Sequence, residues 1–171
     1  MAKFNYYKPM LTAFEGGYVD DPDDLGGATN MGITYRTYCA YMRNKGLLPT
    51  MDKFKTMSIE TRDDIIVEMY WNECRADEIN NQSIAIAIVD WYVNSGVNAT
   101  IAVQRILKVK VDGKIGAVTI GAINSANQKE LFNAIKQARI DFINRIVTER
   151  PKNAKFKKGW LSRVNQIKFA E

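Results

Sequence analysis

Histidine is absent from the 171-residue chain. Serine and cysteine nucleophiles that work through an imidazole base are thereby disfavoured, as are the commonest catalytic zinc sites, which use histidine ligands. Carboxylates remain for acid–base work, and they suffice for acetal hydrolysis with no cofactor. The two cysteines, Cys39 and Cys74, are too few for a disulfide scaffold and too widely spaced for a metal knuckle, so they are read as free thiols. No apolar run reaches the roughly 18 residues of a membrane span. The first residues, "MAKFNYYKPMLTAFEGG", lack the charged start, apolar stretch and small-residue cleavage site of a secretory signal. The expectation is a protein made in the cytoplasm without a signal peptide and with no stable membrane insertion.

Acidic residues are scarce in the second half. Residues 1–90 carry 9 basic and 14 acidic side chains, whereas residues 91–171 carry 15 and 5. The halves therefore differ in net charge, −5 against +10. A basic half suits an anionic polymer, whether nucleic acid, a membrane surface or a bacterial wall rich in peptide carboxylates, and charge alone does not choose among them. No internal repeat or low-complexity linker interrupts the chain, and an apolar content of 46% supports one compact monomeric unit over residues 1–171.

Hydrophobic spacing predicts a mainly α protein with a small β or turn region. Tyr7, Met10, Leu11 and Phe14 share a helical face, with Pro9 in the first turn and Gly16-Gly17 as the stop after Glu15. Thr34 caps a helix over "YRTYCAYMRNK" that ends at Gly46, Pro49 lies in a connection, and Ser58 caps "IETRDDIIVEMYWNEC". "SIAIAIVDWYVNS", residues 83–95, is apolar nearly all round and predicts a long buried central helix ended by Gly96. Asn98 is then the expected cap of "ATIAVQRILK". A turn at Asp112-Gly113, a short helix near Thr119, a long amphipathic helix stopped before Pro151 and a basic helix over "AKFKKGWLSRVNQIKF" complete the chain.

The densest chemistry lies in "FEGGYVDDPDDLGGATNMGIT", residues 14–34, which holds one glutamate, four aspartates and five glycines but no basic residue. Glu15, in the last turn of the first helix, would face the negative end of the helix dipole. That position, with the aromatics Tyr7, Phe14 and Tyr18 close in sequence, raises its expected pKa, as a general acid for a glycosidic oxygen requires. A second carboxylate is needed on the opposite sugar face, and Asp20, Asp21, Asp23 and Asp24 are the candidates. Asp-Pro and Asp before Leu-Gly-Gly are also ordinary turn chemistry, and an exposed acidic turn stays open as the plainer account.

The stretch "EGGYVDDPDDLGGATNMGIT" resembles the signature of glycoside hydrolase family 108, lysozyme-like N-acetylmuramidases of bacteria and phages, some called secretion activators. The likeness continues through "MYWNE" and "DWYVNSG" into "AVQRILKVKVDGKIGAVTIGAI", which is similar to the peptidoglycan-binding segment paired with that family. Leu25, Trp91 and Ala117 depart from its usual residues. The resemblance implies a lysozyme-like helical bundle, with a catalytic segment over 8–92 and a peptidoglycan-binding-like segment over 93–165. By it Glu15 is the catalytic acid, and Asp24 and Thr29 follow in the order seen in phage-type lysozymes.

Sugar clefts pair aromatic ring faces with polar groups that fix hydroxyls, which makes Tyr18, Asp21, Trp71, Asp90 and Asn94 the expected substrate-binding residues. Asp90 and Asn94, four apart on one helical face, are costly to bury unpaired, so they either line a cleft or bridge another segment. The implied partner is the glycan strand of peptidoglycan, with no nucleic acid and no metal, reached by export, a phage or prophage holin, or lysis. The expected reaction is endolysin-like cleavage of the β-1,4 bond between N-acetylmuramic acid and N-acetylglucosamine. Lytic transglycosylation and a non-catalytic wall-binding or secretion-accessory role are the alternatives.

Overall fold

A computed structural model describes every residue except Phe14, Glu15, Leu25 and Glu171. The residues pack as two compact units, Asn5–Met69 and the pair of segments Met1–Phe4 with Tyr70–Glu171. The packing boundary thus falls at Met69/Tyr70.

In the Asn5–Met69 unit, α1 (Lys8–Ala13) follows a 3-10 turn and buries Leu11, as Tyr7 just before the helix is buried, with Pro9 in its first turn. The expected helix end at Glu15 lies outside the described residues. A minimal antiparallel ladder then forms, β1 (Thr29–Asn30) against β2 (Ile33–Thr34), pairing Thr29 with Thr34 and Asn30 with Ile33. Its two-residue loop, Met31-Gly32, has φ of +48° and +78°. Two successive positive φ values give the type I′ geometry that matches strand twist, and glycine takes the second at no steric cost. Val19 adds a bridge to Thr29, so the ladder has three short rungs.

Thr34 closes the ladder and opens α2 (Tyr35–Asn44), its hydroxyl accepting from Thr37 N–H as expected of a cap. Gly46 ends that turn in a left-handed conformation. A helix that hydrophobic spacing did not indicate, α3 (Met51–Lys55), follows Pro49 and is capped by Thr50. Five residues are too few to show a period, which is why the segment looked like a connection. Ser58 caps α4 (Ile59–Ile66), which widens into a π-helical turn over Val67–Trp71. The core holds Tyr7, Ile33, Tyr38, Phe54, Ile65 and Ile66.

The second unit is a helical bundle around α5 (Gln82–Ser95), where every residue from Ser83 to Trp91 is buried. This is the long buried central helix of a mainly α, lysozyme-like fold. Asn81 caps it through Oδ1, accepting from Ser83 and Ile84 N–H. Gly96, at φ +56° and ψ −139°, ends α5 and also starts α6 (Val97–Leu107). Asn98 is therefore not the cap: it lies inside α6, and its amide donates to Ser95 C=O at 3.1 Å. The reversal takes one residue because only glycine adopts that conformation cheaply. The remaining helices, α7 (Ala117–Ser125), α8 (Gln128–Glu149) and α9 (Ala154–Gln166), fall where spacing and caps placed them. Both cysteines are free and buried. Burial pushes the Cys74 thiol up to about 12, so it stays protonated.

Candidate active site

The acidic loop of the Asn5–Met69 unit is organised by its own aspartates. Asp24 N–H donates to Asp21 C=O at 2.9 Å, which makes Asp21–Asp24 a turn with Pro22 at its second position, where a fixed φ is favoured. Gly27 N–H donates to Asp24 C=O at 3.1 Å, so a second turn begins where the first ends. Asp24 is the shared corner. Its Oδ1 accepts from Gly26 N–H at 2.8 Å, and Asp21 Oδ1 accepts from Asp23 N–H at 2.9 Å. These are the side-chain-to-backbone bonds that make aspartate a turn residue. Asp20 and Asp24 are exposed, while Asp21 and Asp23 are half-buried.

The loop is held at its base by reciprocal bonds between Val19 and Thr29, both 2.8 Å, and by Tyr35 N–H donating to Ala28 C=O. Thr29 Oγ1 donates to Gly27 C=O at 3.0 Å, which commits its proton and leaves its lone pairs for any water. Asn30, buried beside it, donates from Nδ2 to the carbonyls of Phe54 and Lys55 at 2.7 and 3.1 Å. It thereby satisfies carbonyls at the end of α3 and ties the ladder to that helix. Tyr18 is 36% exposed and stands edge-on to Phe54, ring centroids 6.2 Å apart. Lys55 Nζ lies 4.9 Å from the Tyr18 ring centroid. A loop with no basic residue of its own thus receives a cation through space. Glu15 lies outside the described residues.

Trp71, Asp90 and Asn94 belong to the other unit. Trp71 is 1% exposed, with Nε1 donating to Asp77 at 2.8 Å and an edge contact to Phe4. Asp90 is fully buried. Arg139 Nη1 reaches its Oδ2 at 2.8 Å, and Arg163 donates from Nε and Nη2 at 3.0 and 2.6 Å. Of the expected substrate-binding residues in this unit, Trp71 and Asp90 are thus enclosed by their own partners. Asp90 ties α5 to α8 and α9, and burial of its charge is offset by two guanidinium groups. Asn94 is exposed, its amide donating to Asp90 C=O.

The Asp112-Gly113 turn is likewise built from within. Gln104, 1% exposed, accepts at Oε1 from Asp112 and Gly113 N–H and donates from Nε2 to Asp112 Oδ1 and Lys114 C=O, all at 2.9–3.1 Å. The Gln104 amide and, after it, the Lys114 N–H hold the Asp112 carboxyl below its usual range. Among the described residues no group of three or more metal-ligating side chains is gathered.

The family model described as "Glycosyl hydrolase 108" matches residues 9–96, which include the acidic loop. The chain belongs to glycosyl hydrolase family 108. A second model, "Predicted Peptidoglycan domain", matches residues 98–165 of this family member. Among solved structures, that of Brucella abortus SagA is 33% identical, with a TM-score of 0.81 over 96% of this chain and 90% of that one. No match was found among curated proteins. A family 108 hydrolase joined to a peptidoglycan domain is a peptidoglycan-directed glycoside hydrolase, with its site of action at the cell wall. Among the described residues no helix is long and apolar enough to cross a membrane.

Proposed function

We propose that the chain is an N-acetylmuramidase that cleaves the β-1,4 bond between N-acetylmuramic acid and N-acetylglucosamine. Glu15 donates its proton to the glycosidic oxygen, the bond to the anomeric carbon of muramic acid breaks, and positive charge develops on that sugar. Asp24 stabilises that charge or takes a proton from the attacking water, and Thr29 accepts a hydrogen bond that orients the water. Tyr18 and Asp21 border the sugar-binding surface.

The position of Asp24 supports this reading most. It stands at the corner of two consecutive turns and is exposed, with one carboxylate oxygen fixed by Gly26 N–H. A carboxylate held this way is pre-oriented without being neutralised, as a charge-stabilising or water-activating group requires.

The test is a Glu15→Gln variant assayed on purified sacculi. Loss of an acid catalyst costs about 10²–10⁴-fold in rate, and that loss is the expected result with an unchanged thermal melt. An undiminished rate would overturn the assignment. Product ends resolve the reaction type: hydrolysis leaves a reducing muramic acid, whereas transglycosylation leaves a non-reducing anhydro sugar.

A further inference from the structure

The Asn5–Met69 unit carries a groove that the acidic loop does not line. It has a volume of about 530 Å³ and runs between α2, α3 and the start of α4. Tyr38, Tyr41, Met42 and Met57 form its walls, and Lys45 and Lys53 stand among its lining residues. The size is that of a ligand site.

We propose that this groove binds the peptide branch of peptidoglycan, a proposal that rests on the peptidoglycan reading above. The first argument is the character of the walls. Tyr38 and Tyr41 are only 2% and 7% exposed, so neither offers an open ring face on which a sugar could stack. Met42 and Met57 are nearly as covered, at 8% each, so the open apolar surface of the lining is alkyl, with Leu47 53% exposed. Such surface suits small aliphatic side chains such as those of alanine residues, and methionines adapt to irregular shapes.

The second argument is charge. Lys53 is exposed and has no ion-pair partner among the described residues, whereas Lys45 is paired with Glu68. The groove lining is therefore basic, with Lys53 uncommitted and Lys45 already paired. A wall peptide carries free carboxylates, which are the complementary groups. The uncommitted cation selects for a carboxylate.

The third argument is continuity with the acidic loop. Phe54, fully buried, is the link: Tyr18 packs edge-on to it from the loop, and Tyr38, which lines the groove, packs against it at 5.2 Å. Asn30 fixes the carbonyls of that same turn of α3. A glycan strand at the loop would have its peptide branch leave across α3. Three or four extended residues span about 10–14 Å, enough to pass one helix.

Two measurements test the proposal. The first is NMR titration of the full chain with the free tripeptide L-alanyl-γ-D-glutamyl-diaminopimelate, read at the methionine methyls. Shifts at Met42 and Met57 that saturate at millimolar peptide and are weakened at least fivefold by Lys53→Glu are expected. Absence of shifts, or shifts indifferent to Lys53→Glu, would overturn the proposal.

The second compares turnover of intact sacculi with that of glycan strands stripped of peptide by an amidase. Lys53→Glu should lower the ratio of intact to stripped rates about five- to tenfold, and an unchanged ratio would overturn the proposal. If the parent cleaves neither polymer, the hydrolase reading fails, while the titration still decides the groove.

Discussion

Asp24 and Asp90 are the same functional group in opposite settings. Asp24, in the Asn5–Met69 unit, is exposed and shaped by backbone amides, with Gly26 N–H on one oxygen. Asp90, in the Tyr70–Glu171 unit, is fully buried and gripped by two arginines from two other helices. A carboxylate aligned by turn amides keeps its charge available to something outside. A carboxylate enclosed by guanidinium groups has its charge spent on holding helices together. On the proposed function, chemistry belongs to the first unit and rigidity to the second, and substitutions can break that assignment.

The largest effect is expected at Asp90. Asp90→Ala leaves Arg139 and Arg163 charged, buried or nearly so, and without this partner, which costs about 3–5 kcal/mol in chemical denaturation. An Asp90→Ala protein of parental stability that had lost activity would instead place Asp90 in the chemistry. Asp24→Asn should do the reverse. The asparagine oxygen can still accept from Gly26 N–H, so the turn and the melting temperature are retained. The rate on sacculi should fall about 100-fold, equivalent to about 2.7 kcal/mol. A parallel loss of stability would reduce Asp24 to a turn residue.

Most of the fold was legible because caps and apolar runs are local signals. Thr34, Ser58 and Gly96 marked helix ends that the structure places at or next to those residues. The misses are of two kinds. α3 is too short to show a period, and Asn98 lost the cap to a glycine two residues earlier. For the site, the turn-forming role of the aspartates could be read from Asp-Pro and Gly-Gly, but the Lys55 cation at Tyr18 and the Asn30 tether come from residues distant in sequence. The buried arginines did leave a trace. Arg139 interrupts the row Leu131, Ile135, Ile143 on the buried face of α8, and a guanidinium in an apolar row calls for an enclosed counter-ion. Asp90, inside the buried central helix, is the counter-ion that the structure supplies.

The smallest effect tests how the acidic loop is held. Asn30 makes two bonds to carbonyls at the end of α3 from a buried position, and no other side chain among the described residues makes a hydrogen bond from the ladder to that helix. Asn30→Ala removes both donors and leaves the Phe54 and Lys55 carbonyls without them, a loss of about 1–2 kcal/mol. The cost should be local. Hydrogen exchange should quicken at the Val19 and Thr29 amides, which bond across the base of the loop, and leave the amides of α5 unchanged. Because Asp24 is oriented by turns that rest on this base, a looser ladder weakens catalysis by misplacing the carboxylate, with its charge intact. The expected mark is a modest fall in turnover with little change in substrate affinity. Exchange that quickened equally in α5 would show that the two units unfold as one, and the separation of chemistry from rigidity would then fail.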